Sequence, residues 1–456
     1  MRTASLVALS LVLCCVSYAA VPNYTITDLG TLYGIDGYGT GINNLGQAVG
    51  YSSNQDGDFR AFLYTPGKSL KDLGTLGGYT AIAYGINDSG QVVGYSGTDG
   101  LGDRGFIYTE QSGILDLGVP PPNDVGASSS MARAINNSSQ VAGYAQTPVD
   151  FSLRAFLLGP DGLTDVGTLG GSESYGFGIN SSGQVVGQAA TSSGGYHAFL
   201  YTPGVGIADL GLLQGGIYSV ATDVNDSGSA VGYCWTSQNQ NRVFVCVPGN
   251  PMSDLGTLGG TGAQAYGISN SGLIVGDVDM PGGTRGFVYE SSGWMLQLPT
   301  LGGSQSHARG INDSGQIVGF ADTTDGVPHA VIWTPIAEPP QPEVKMLIHP
   351  RTLNPKSNGR WVTCCIDILS GGMTVRDIDV KSLRLQGIIP PAGRCAICDL
   401  DRDRVPEMVV MFDRCALAKT LSPGTKTVKL TGKFKDGASF EATDTVRLLK
   451  TQSKHR

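Results

Sequence analysis

An acidic segment in the C-terminal part of the chain has the residue types and spacing of a calcium-binding loop. Asp399, Asp401 and Asp403 supply carboxylates at alternating positions, and Glu407 follows four residues later. Oxygen ligands at such intervals can wrap around one Ca²⁺ ion. Arg402 and Arg404 stand where calcium loops often carry glycine or a polar residue, so a solvated acidic turn is the alternative. Calcium is the single cofactor that the sequence predicts.

A basic and an acidic residue recur together in the first three quarters of the chain. An Arg or His precedes a pair such as Ala-Phe seven times, and an Asp stands before Leu-Gly or a similar pair in six of seven units, Gln297 being the exception. Such pairs commonly tie neighbouring strands together, and we expect that structural role here. The basic residues are Arg60, Arg104, Arg154, His197, Arg242, Arg285 and His329.

Seven cysteines follow residue 20, at positions 234, 246, 364, 365, 395, 398 and 415. Export to an oxidising compartment favours disulfides, and we expect them among the last five cysteines. The odd number leaves at least one thiol free or intermolecular. Cys395 and Cys398 have the spacing of half a zinc site, but the sequence lacks the second ligand pair that such a site needs.

A repeat must position most of these residues. The stretch Gly-Ile-Asn-Asp-Ser-Gly-Gln-Val-Val-Gly-Tyr at residues 85–95 recurs seven times, at intervals of 43 to 49 residues. A fixed period of this length is typical of repeat architectures. The third position of the stretch is Asn43, Asn87, Asn136, Asn180, Asn225, Ser269 and Asn312.

Each unit predicts four antiparallel strands. In the second unit they are residues 83–87, 91–95, 104–108 and 114–118, and the Asn-Asp-Ser-Gly sequence makes a tight turn between the first two. Four strands in about 44 residues are the size of a propeller blade. The sequence therefore predicts an all-β fold with a seven-bladed β-propeller.

The two ends of the repeat region predict how the ring closes. A spare fourth strand at residues 24–30 precedes the first unit, and the last unit ends with its third strand at residues 329–333. Pairing these two strands would complete the last blade and leave no open sheet edge.

The regions outside the repeats define the domain boundaries. Residues 1–20 have the basic start, apolar run and small final residues of a secretory signal peptide. Residues 21–334 form the predicted propeller, and residues 335–343 are a proline-rich linker. Residues 344–456 read as several further strands, for which we predict a small C-terminal β-sandwich.

The charge distribution also separates two parts of the chain. Residues 1–340 contain 10 basic and 26 acidic side chains, whereas residues 341–456 contain 20 and 12. The two parts therefore differ in surface chemistry, and we expect no nucleic-acid partner. With the signal peptide and no other apolar span, the sequence predicts a secreted or cell-surface protein without a membrane-spanning segment.

The repeat resembles the bacterial extracellular HAF-repeat family, named for a His-Ala-Phe tripeptide. The tripeptide occurs here at residues 197–199, with arginine in place of histidine in five units and His329-Ala-Val at the end. The resemblance covers residues 24 to 334. It implies an extracellular or surface location, and it implies no activity and no catalytic residues.

The segments between the second and third strands differ in every unit and lie on one face of the predicted ring. They contain Asp56 and Asp58 in the first unit, Trp235 in the fifth, and Asp277 and Asp279 in the sixth. A rigid scaffold with variable loops on one face is a common binding surface. We expect these residues to bind the ligand, and unselected variation in solvent is the alternative.

Taken together, these patterns predict a non-enzymatic binding or adhesion module whose extracellular partner is a glycan or a surface protein. The first strands offer mainly Gly, Ala, Ile and Asn near the axis, with Asp223 as the lone acid, so we expect no catalysis there. A secreted carbohydrate-active hydrolase or lyase that uses the loop face is the alternative. A structural component of the cell envelope is a further one.

Overall fold

The computed structural model describes residues 23–100, 102–118, 129–147, 150–290, 293–336, 343–354, 359–369, 373–393, 395–399, 405–435, 437 and 439–449. The predicted signal peptide and most of the predicted linker lie outside these ranges. The chain divides into two compact units, residues 1–336 and residues 337–456. The fold is all-β, as predicted, and no helix among the described residues is long and apolar enough to cross a membrane.

The described part of the first unit contains seven four-stranded antiparallel sheets. Its first strand, β1 (Tyr24–Gly30), belongs to the last of these sheets. The first sheet contains β2 (Tyr38–Ile42), β3 (Ala48–Ser53), β4 (Phe59–Tyr64) and β5 (Lys71–Asp72). The second contains β6 (Gly77–Ile86), β7 (Val92–Thr98), β8 (Asp103–Thr109) and β9 (Gly113–Asp116). The third contains β10 (Ser130–Ile135), β11 (Val141–Gln146), β12 (Leu153–Gly159) and β13 (Gly162–Asp165).

The remaining sheets follow the same order along the chain. The fourth contains β14 (Gly170–Ile179), β15 (Val185–Thr191), β16 (Tyr196–Thr202) and β17 (Gly206–Gly211). The fifth contains β18 (Gly216–Val224), β19 (Ala230–Thr236), β20 (Asn241–Cys246) and β21 (Ser253–Gly256). The sixth contains β22 (Ala263–Ile268), β23 (Ile274–Met280), β24 (Gly283–Tyr289) and β25 (Met295–Gln297).

The seventh sheet joins the two ends of the unit. It contains β26 (Gly302–Ile311), β27 (Ile317–Thr323) and β28 (Pro328–Pro335), and β1 is its fourth strand. Strands β1 and β28 are antiparallel, with Tyr24 opposite Pro335 and Ile26 opposite Trp333. Tyr24 and Trp333 are buried in one hydrophobic cluster, so the N-terminal strand is part of the core of this sheet.

Consecutive sheets pack against each other. Strand β6 contacts β4 of the sheet before it, and β2 contacts β27 and β28 of the seventh sheet. The first strands of the sheets, β2, β6, β10, β14, β18, β22 and β26, contact one another in this order, and β26 also contacts β2. The series therefore returns to its start, with the first strands innermost.

A glycine in the second strand of each sheet explains part of the repeated sequence. At Gly94 in β7, a Cβ atom would lie 2.0 Å from the carbonyl oxygen of Ile82 in β6, which is far closer than any side chain tolerates. The ring of Phe106, fully buried in β8, packs over this glycine. The aromatic residue of the tripeptide is therefore a core residue. In the seventh sheet Trp333 packs over Gly319 in the same way.

The second unit contains two four-stranded sheets. One contains β29 (Val344–His349), β31 (Trp361–Ile368), β34 (Glu407–Asp413) and β33 (Ala396–Cys398), in this spatial order. The other contains β30 (Thr352–Leu353), β36 (Ser439–Leu448), β35 (Gly424–Phe434) and β32 (Ile378–Leu385). A 3₁₀ turn at Val375–Asp377 and helix α1 (Arg414–Thr420) complete the unit. Both sheets contribute to one hydrophobic core.

Candidate functional site

The repeated asparagine joins each sheet to the next. In the second sheet, Asn87 Oδ1 accepts hydrogen bonds from the backbone N–H groups of Ser89 at 3.1 Å and Gln91 at 3.0 Å, which closes the tight turn. Its Nδ2 donates to the carbonyl oxygen of Asn136 in the third sheet at 3.1 Å. The same bond to the next sheet is made by Asn43, Asn136, Asn180, Asn225 and Asn312. Ser269 has no amide to donate, so this side-chain series is interrupted between the sixth and seventh sheets.

A second ring surrounds the mouth of the axis on the face of these turns. Its members are Asn44, Asp88, Asn137, Ser181, Asp226, Asn270 and Asp313, each one residue after the repeated position. The backbone N–H of Asp88 donates to Asn137 Oδ1 at 2.9 Å, and that of Asp313 donates to Asn44 Oδ1 at 2.9 Å. Most side chains of this face are therefore engaged in turn-to-turn hydrogen bonds.

The predicted basic–acidic pairs are side-chain contacts within single sheets. Arg60 and Asp72 lie 3.2 Å apart, Arg242 and Asp254 2.8 Å apart, measured from guanidinium nitrogen to carboxylate oxygen. Three further pairs, Arg104–Asp116, His197–Asp209 and His329–Asp28, join the same strand positions. The last pair ties β28 to β1. The structural role predicted for these residues is confirmed in the five sheets concerned.

Two of the predicted ligand-binding residues lie in a loop. Asp56 and Asp58 belong to the hairpin between β3 and β4, and their backbone N–H groups both donate to Asn54 Oδ1 at 2.9 Å. The Asp56 side chain is exposed. The Asp56 carboxylate is available to solvent, whereas Asp58 is partly buried and its Oδ2 accepts a hydrogen bond from Asn54 Nδ2 at 3.5 Å.

The loop position predicted for the other three residues is wrong, because the second strands extend further than the repeat suggested. Trp235 lies in β19, and its ring stacks on Tyr218 with centroids 6.5 Å apart. Asp279 lies in β23 and accepts a hydrogen bond from Thr284 Oγ1 at 3.1 Å. Asp277 also lies in β23, where it is buried.

Asp277 is occupied by neighbours inside the protein. Its Oδ2 lies 2.8 Å from His307 Nδ1 and accepts a hydrogen bond of 2.8 Å from Arg309 Nη1, while Oδ1 accepts from the backbone N–H of Ala308 at 3.1 Å. The His307 ring stacks on Phe320, with centroids 4.4 Å apart. A carboxylate with these partners is a structural anchor for Arg309 rather than a free ligand.

A cavity of about 480 Å³ lies among the innermost strands. Its wall includes the residue three positions before the repeated asparagine, which differs from unit to unit: Thr40, Tyr84, Arg133, Phe177, Thr222, Tyr266 and Arg309. Tyr51 and Tyr233 from second strands also line it. Sequence reasoning missed this site, because it weighed the constant residues of the first strand. The signal that could have found it is this one variable position between the constant ones.

Two arginines in the cavity have different surroundings. The Arg309 guanidinium lies over the Tyr266 ring at 4.3 Å and is paired with Asp277. Burial opposes its charge, but Asp277, Tyr266 and Tyr51 together outweigh this effect and hold the pKa of Arg309 above its usual value. The Arg133 guanidinium lies over the rings of Tyr84 at 3.8 Å and Phe177 at 5.5 Å. No carboxylate of a described residue forms an ion pair with Arg133.

Asp223 is the acid of the axis, as predicted from the sequence. It replaces the glycine found at this position in five other units, and it lines the cavity. Its Oδ2 accepts from the backbone N–H of Ile268 in the next sheet and its Oδ1 from that of Val224, both at 2.9 Å. Burial raises the pKa of Asp223 to about 7, and the two hydrogen bonds oppose the rise. Asp223 therefore titrates near neutral pH.

The tyrosines around the axis remain protonated at neutral pH. Burial raises the pKa values of Tyr51, Tyr233 and Tyr266 above their ordinary value, and the pKa of Tyr95 to about 12. The hydroxyls of Tyr51, Tyr84 and Tyr233 make no hydrogen bond to another described residue. They can therefore serve as donors and acceptors inside the cavity.

Two further depressions adjoin the cavity. One, of about 450 Å³, shares Val220 and Tyr233 with it and adds Tyr196 and Tyr218, the ring on which Trp235 stacks. The other, of about 220 Å³, lies at the turn face. The isoleucines 42, 86, 135, 179 and 311 line both this depression and the cavity. An apolar collar therefore separates the cavity from the hydrogen-bonded turns.

The predicted calcium loop falls partly outside the described residues. Asp401 and Asp403 lie there, whereas Asp399 and Glu407 are described, and Glu407 is buried at the start of β34. The described residues alone contain no group of three or more His, Cys, Asp or Glu that could hold a metal ion.

The predicted disulfides are absent from the structure, in which all seven described cysteines are free thiols. Cys364 and Cys365 are successive residues of β31, so their side chains point to opposite faces of the sheet. Cys364 is fully buried, and burial raises the pKa of its thiol to about 12. A thiol of this kind behaves as a small core residue.

Comparison with known proteins gives structural similarity alone. No family model and no curated protein matches the chain. A puromycin hydrolase mutant is 13% identical, with a TM-score of 0.41, and the match covers 75% of this chain and 61% of the hydrolase chain. The BP39L lectin from Burkholderia pseudomallei is 9% identical, with a TM-score of 0.39, covering 69% and 96%. TolB from Acinetobacter baumannii is 12% identical, with a TM-score of 0.32, covering 64% and 77%. These similarities assign neither a function nor a ligand.

Proposed function

We propose that residues 24–335 form a seven-bladed β-propeller, closed by β1, that binds an extracellular ligand in its axial cavity and catalyses no reaction. The observation that carries this proposal is the cavity of about 480 Å³ with variable polar and aromatic side chains on a repeated scaffold. Its volume lies within the range of about 300–1,000 Å³ typical of small-molecule sites. Residues 344–456 form a β-sandwich domain in this proposal, and the chain is a secreted member of the HAF-repeat family.

The distribution of hydrogen-bonding groups supports the axial cavity over the turn face as the site. At the turn face, the side chains of Asn87 and Asn137 are occupied by neighbouring turns. In the cavity, Arg133 and the tyrosine hydroxyls have unused donors. A ligand gains affinity where polar groups have no partner in the free protein, because binding then replaces only water.

The loop face extends the same site. Trp235 and Tyr218 form a stacked aromatic pair beside the depression that shares Tyr233 with the cavity. Aromatic faces suit the apolar faces of sugar rings, and their polar edges can accept or donate hydrogen bonds. The predicted contribution of Trp235 to binding therefore remains part of the proposal, with a strand rather than a loop as its location.

The experiment is a glycan-array screen of the full mature chain and of a variant with a filled cavity. Thr40→Tyr combined with Thr222→Tyr places tyrosine where the second and sixth units already carry it, so the backbone can accommodate the change. We expect selective binding by the parent, and loss of that binding in a folded variant. The melting temperature of the variant should fall slightly, because the two threonine hydroxyls donate hydrogen bonds to backbone carbonyls that tyrosine does not reproduce. Binding that survives in the correctly folded variant, or a parent that binds nothing, would contradict the proposal.

A second candidate function rests on the Asp277–His307 pair. A carboxylate 2.8 Å from an imidazole nitrogen is the arrangement that orients a general base, and it would suit the secreted hydrolase or lyase considered above. Incubation of the parent with polysaccharides, followed by a reducing-end assay and absorbance of unsaturated products, distinguishes the two functions. Turnover that is lost in His307→Gln would favour the enzyme.

We also propose that the loop from Asp399 to Glu407 binds Ca²⁺. A ligand that binds only the folded state stabilises it as the logarithm of its concentration. The transition of the second unit in the full chain should therefore rise in temperature with millimolar Ca²⁺, and Asp401→Ala should abolish the rise. A parent transition that is unaffected by Ca²⁺ would leave a solvated acidic turn.

A further inference from the structure

The two arginines of the axial cavity differ in one respect that bears on the ligand. Arg309 already has a carboxylate, Asp277, at 2.8 Å. Arg133 is also partly buried, yet no described residue supplies a carboxylate to it. Removing a charge from water without a partner costs free energy, so the cavity contains one guanidinium whose charge is not matched within the described protein.

The position of Arg133 is unusual for this unit. Residues 24–335 contain seven arginines, and five of them stand at the head of a third strand, on the outer part of a sheet. The other two, Arg133 and Arg309, line the cavity. In a repeat region with a large acidic excess, a cation at the axis makes the cavity locally attractive to anions.

The aromatic neighbours of Arg133 fix its orientation and leave its donors free. Its guanidinium lies 3.8 Å from the centre of the Tyr84 ring, with Phe177 at 5.5 Å. A guanidinium that stacks on aromatic rings keeps its N–H groups in the plane between them, where they can meet a carboxylate in a bidentate fashion.

We propose that Arg133 binds the carboxylate of an acidic sugar residue in the ligand. This inference rests on the proposed function, because it takes the axial cavity as the ligand site. The tyrosine hydroxyls at positions 51, 84 and 233 supply hydrogen bonds for sugar hydroxyls, and the rings supply faces for the sugar carbons. One unpaired guanidinium matches the single charge of a carboxylate.

A phosphate group fits this cavity less well. A phosphate dianion needs more than one cation or several backbone donors. The cavity offers Arg133 alone, since Arg309 is neutralised by Asp277 and Asp223 adds a carboxyl group of its own. A carboxylate-bearing sugar is therefore the ligand class that the charges favour.

The test is isothermal titration calorimetry on the full mature chain. The probes are oligomers of galacturonate, glucuronate and mannuronate, the methyl ester of each, and neutral oligosaccharides of the same length, with inorganic phosphate as a competitor. We expect at least one oligouronate to bind about tenfold or more tightly than its methyl ester, because only the acid gives Arg133 a charged hydrogen-bond acceptor. Phosphate should not compete.

Variants of Arg133 identify the residue that reads the charge. Arg133→Gln should weaken uronate binding about tenfold or more and leave the methyl ester unaffected, and Arg133→Lys should lie between. Arg154→Gln, in the third strand of the same sheet and outside the cavity, is the matched control and should bind like the parent. Equal affinity for acid and ester, competition by phosphate, or unchanged uronate binding in a folded Arg133→Gln protein would each overturn the inference.

The failure of this inference can be told apart from failure of the proposed function. If only neutral oligosaccharides bind, and the Thr40→Tyr Thr222→Tyr variant loses them, the ligand class is wrong and the axial site stands. If binding of every kind survives in that variant, the axial site is wrong as well.

Discussion

Two positions on the same innermost strands behave in opposite ways. The repeated asparagine is nearly constant, is buried, and spends its whole side chain on hydrogen bonds to its own turn and to the next sheet. The residue three positions before it varies among threonine, tyrosine, phenylalanine and arginine. That residue faces the axial cavity, and at Tyr84 and Arg133 its hydrogen-bonding groups have no partner among the described residues.

The difference shows how a repeat can carry a specific site. A position is constant where one residue type satisfies the local geometry. At the repeated asparagine, the side chain must donate and accept hydrogen bonds at once, as an amide can. Variable positions at the same depth line the cavity, so the scaffold tolerates side chains of different size there. Asymmetry in an otherwise symmetric ring is thus concentrated where a ligand would lie. The following changes test that contrast, beginning with the scaffold.

Removal of the N-terminal strand should have the largest effect. Deletion of residues 21–30 exposes the edge of β28 and removes Tyr24 and Ile26 from the cluster around Trp333. Loss of the buried Tyr24 and the partly buried Ile26, together with the pairing to β28, costs several kcal/mol. We expect the first unit to melt about 10 °C lower or more. Thermal unfolding followed by circular dichroism measures the change. Asp28→Asn, which breaks only the pair with His329, is the control and should lower the midpoint slightly. A truncated chain that melts like the parent would show that β1 does not close the ring.

The next change tests Asp223, which stands at a first-strand position that is glycine in five other units. The folded-state pKa of Asp223 is about 7, above its ordinary value of 3.8, so the folded protein holds this proton over a pH range in which the unfolded chain has lost it. Stability is therefore lost as pH rises from about 4 to about 7, by on the order of 4 kcal/mol. Asp223→Gly, the residue of five other units, should remove this part of the pH dependence.

The measurement is the melting temperature of parent and variant at pH 5 and pH 8. The melting temperature of the parent should fall further between pH 5 and pH 8 than that of Asp223→Gly. The variant should be the more stable protein at pH 8. Parallel pH dependence in the two proteins would mean that Asp223 ionises normally.

Residue pattern alone predicted the four-stranded sheets and their order along the chain, but it did not identify the axial cavity. Strand Tyr24–Gly30 and the turn at Asn87 could be predicted because period and turn chemistry are local properties of the sequence. Trp235 and Asp277 were misplaced because the length of a second strand depends on its pairing with the third strand. In these two sheets the third strand begins at residues 241 and 283, so the second strand extends through Trp235 and Asp277. Arg133 was missed because the wall of the cavity is formed by seven units together. No single unit carries that information.

A change to the constant asparagine should have a smaller effect than the loss of a strand. Asn180→Ala removes the acceptor of Ser182 and Gln184 N–H groups and the donor to the Asn225 carbonyl oxygen. Buried groups left without partners cost about 1–3 kcal/mol, and we expect a clear fall in the midpoint of urea unfolding. Asn137→Ala, one residue after the repeated position and exposed, is the matched control with a smaller expected loss. Equal losses would mean that the inner and outer rings contribute alike.

The smallest effect should come from completing the inner ring. Ser269 is buried at the repeated position of the sixth unit, and its Oγ accepts from the backbone N–H of Leu273 at 3.1 Å. Ser269→Asn keeps that acceptor and adds an amide that can donate to the carbonyl oxygen of Asn312. The fifth unit supports this design, because Asn225 makes the equivalent bond although Ser229 replaces the usual glutamine. One added hydrogen bond contributes about 0.5–1.5 kcal/mol, so the urea midpoint should rise slightly. Ser269→Ala should lower it, and an asparagine variant less stable than the parent would show that the sixth and seventh sheets are spaced for serine.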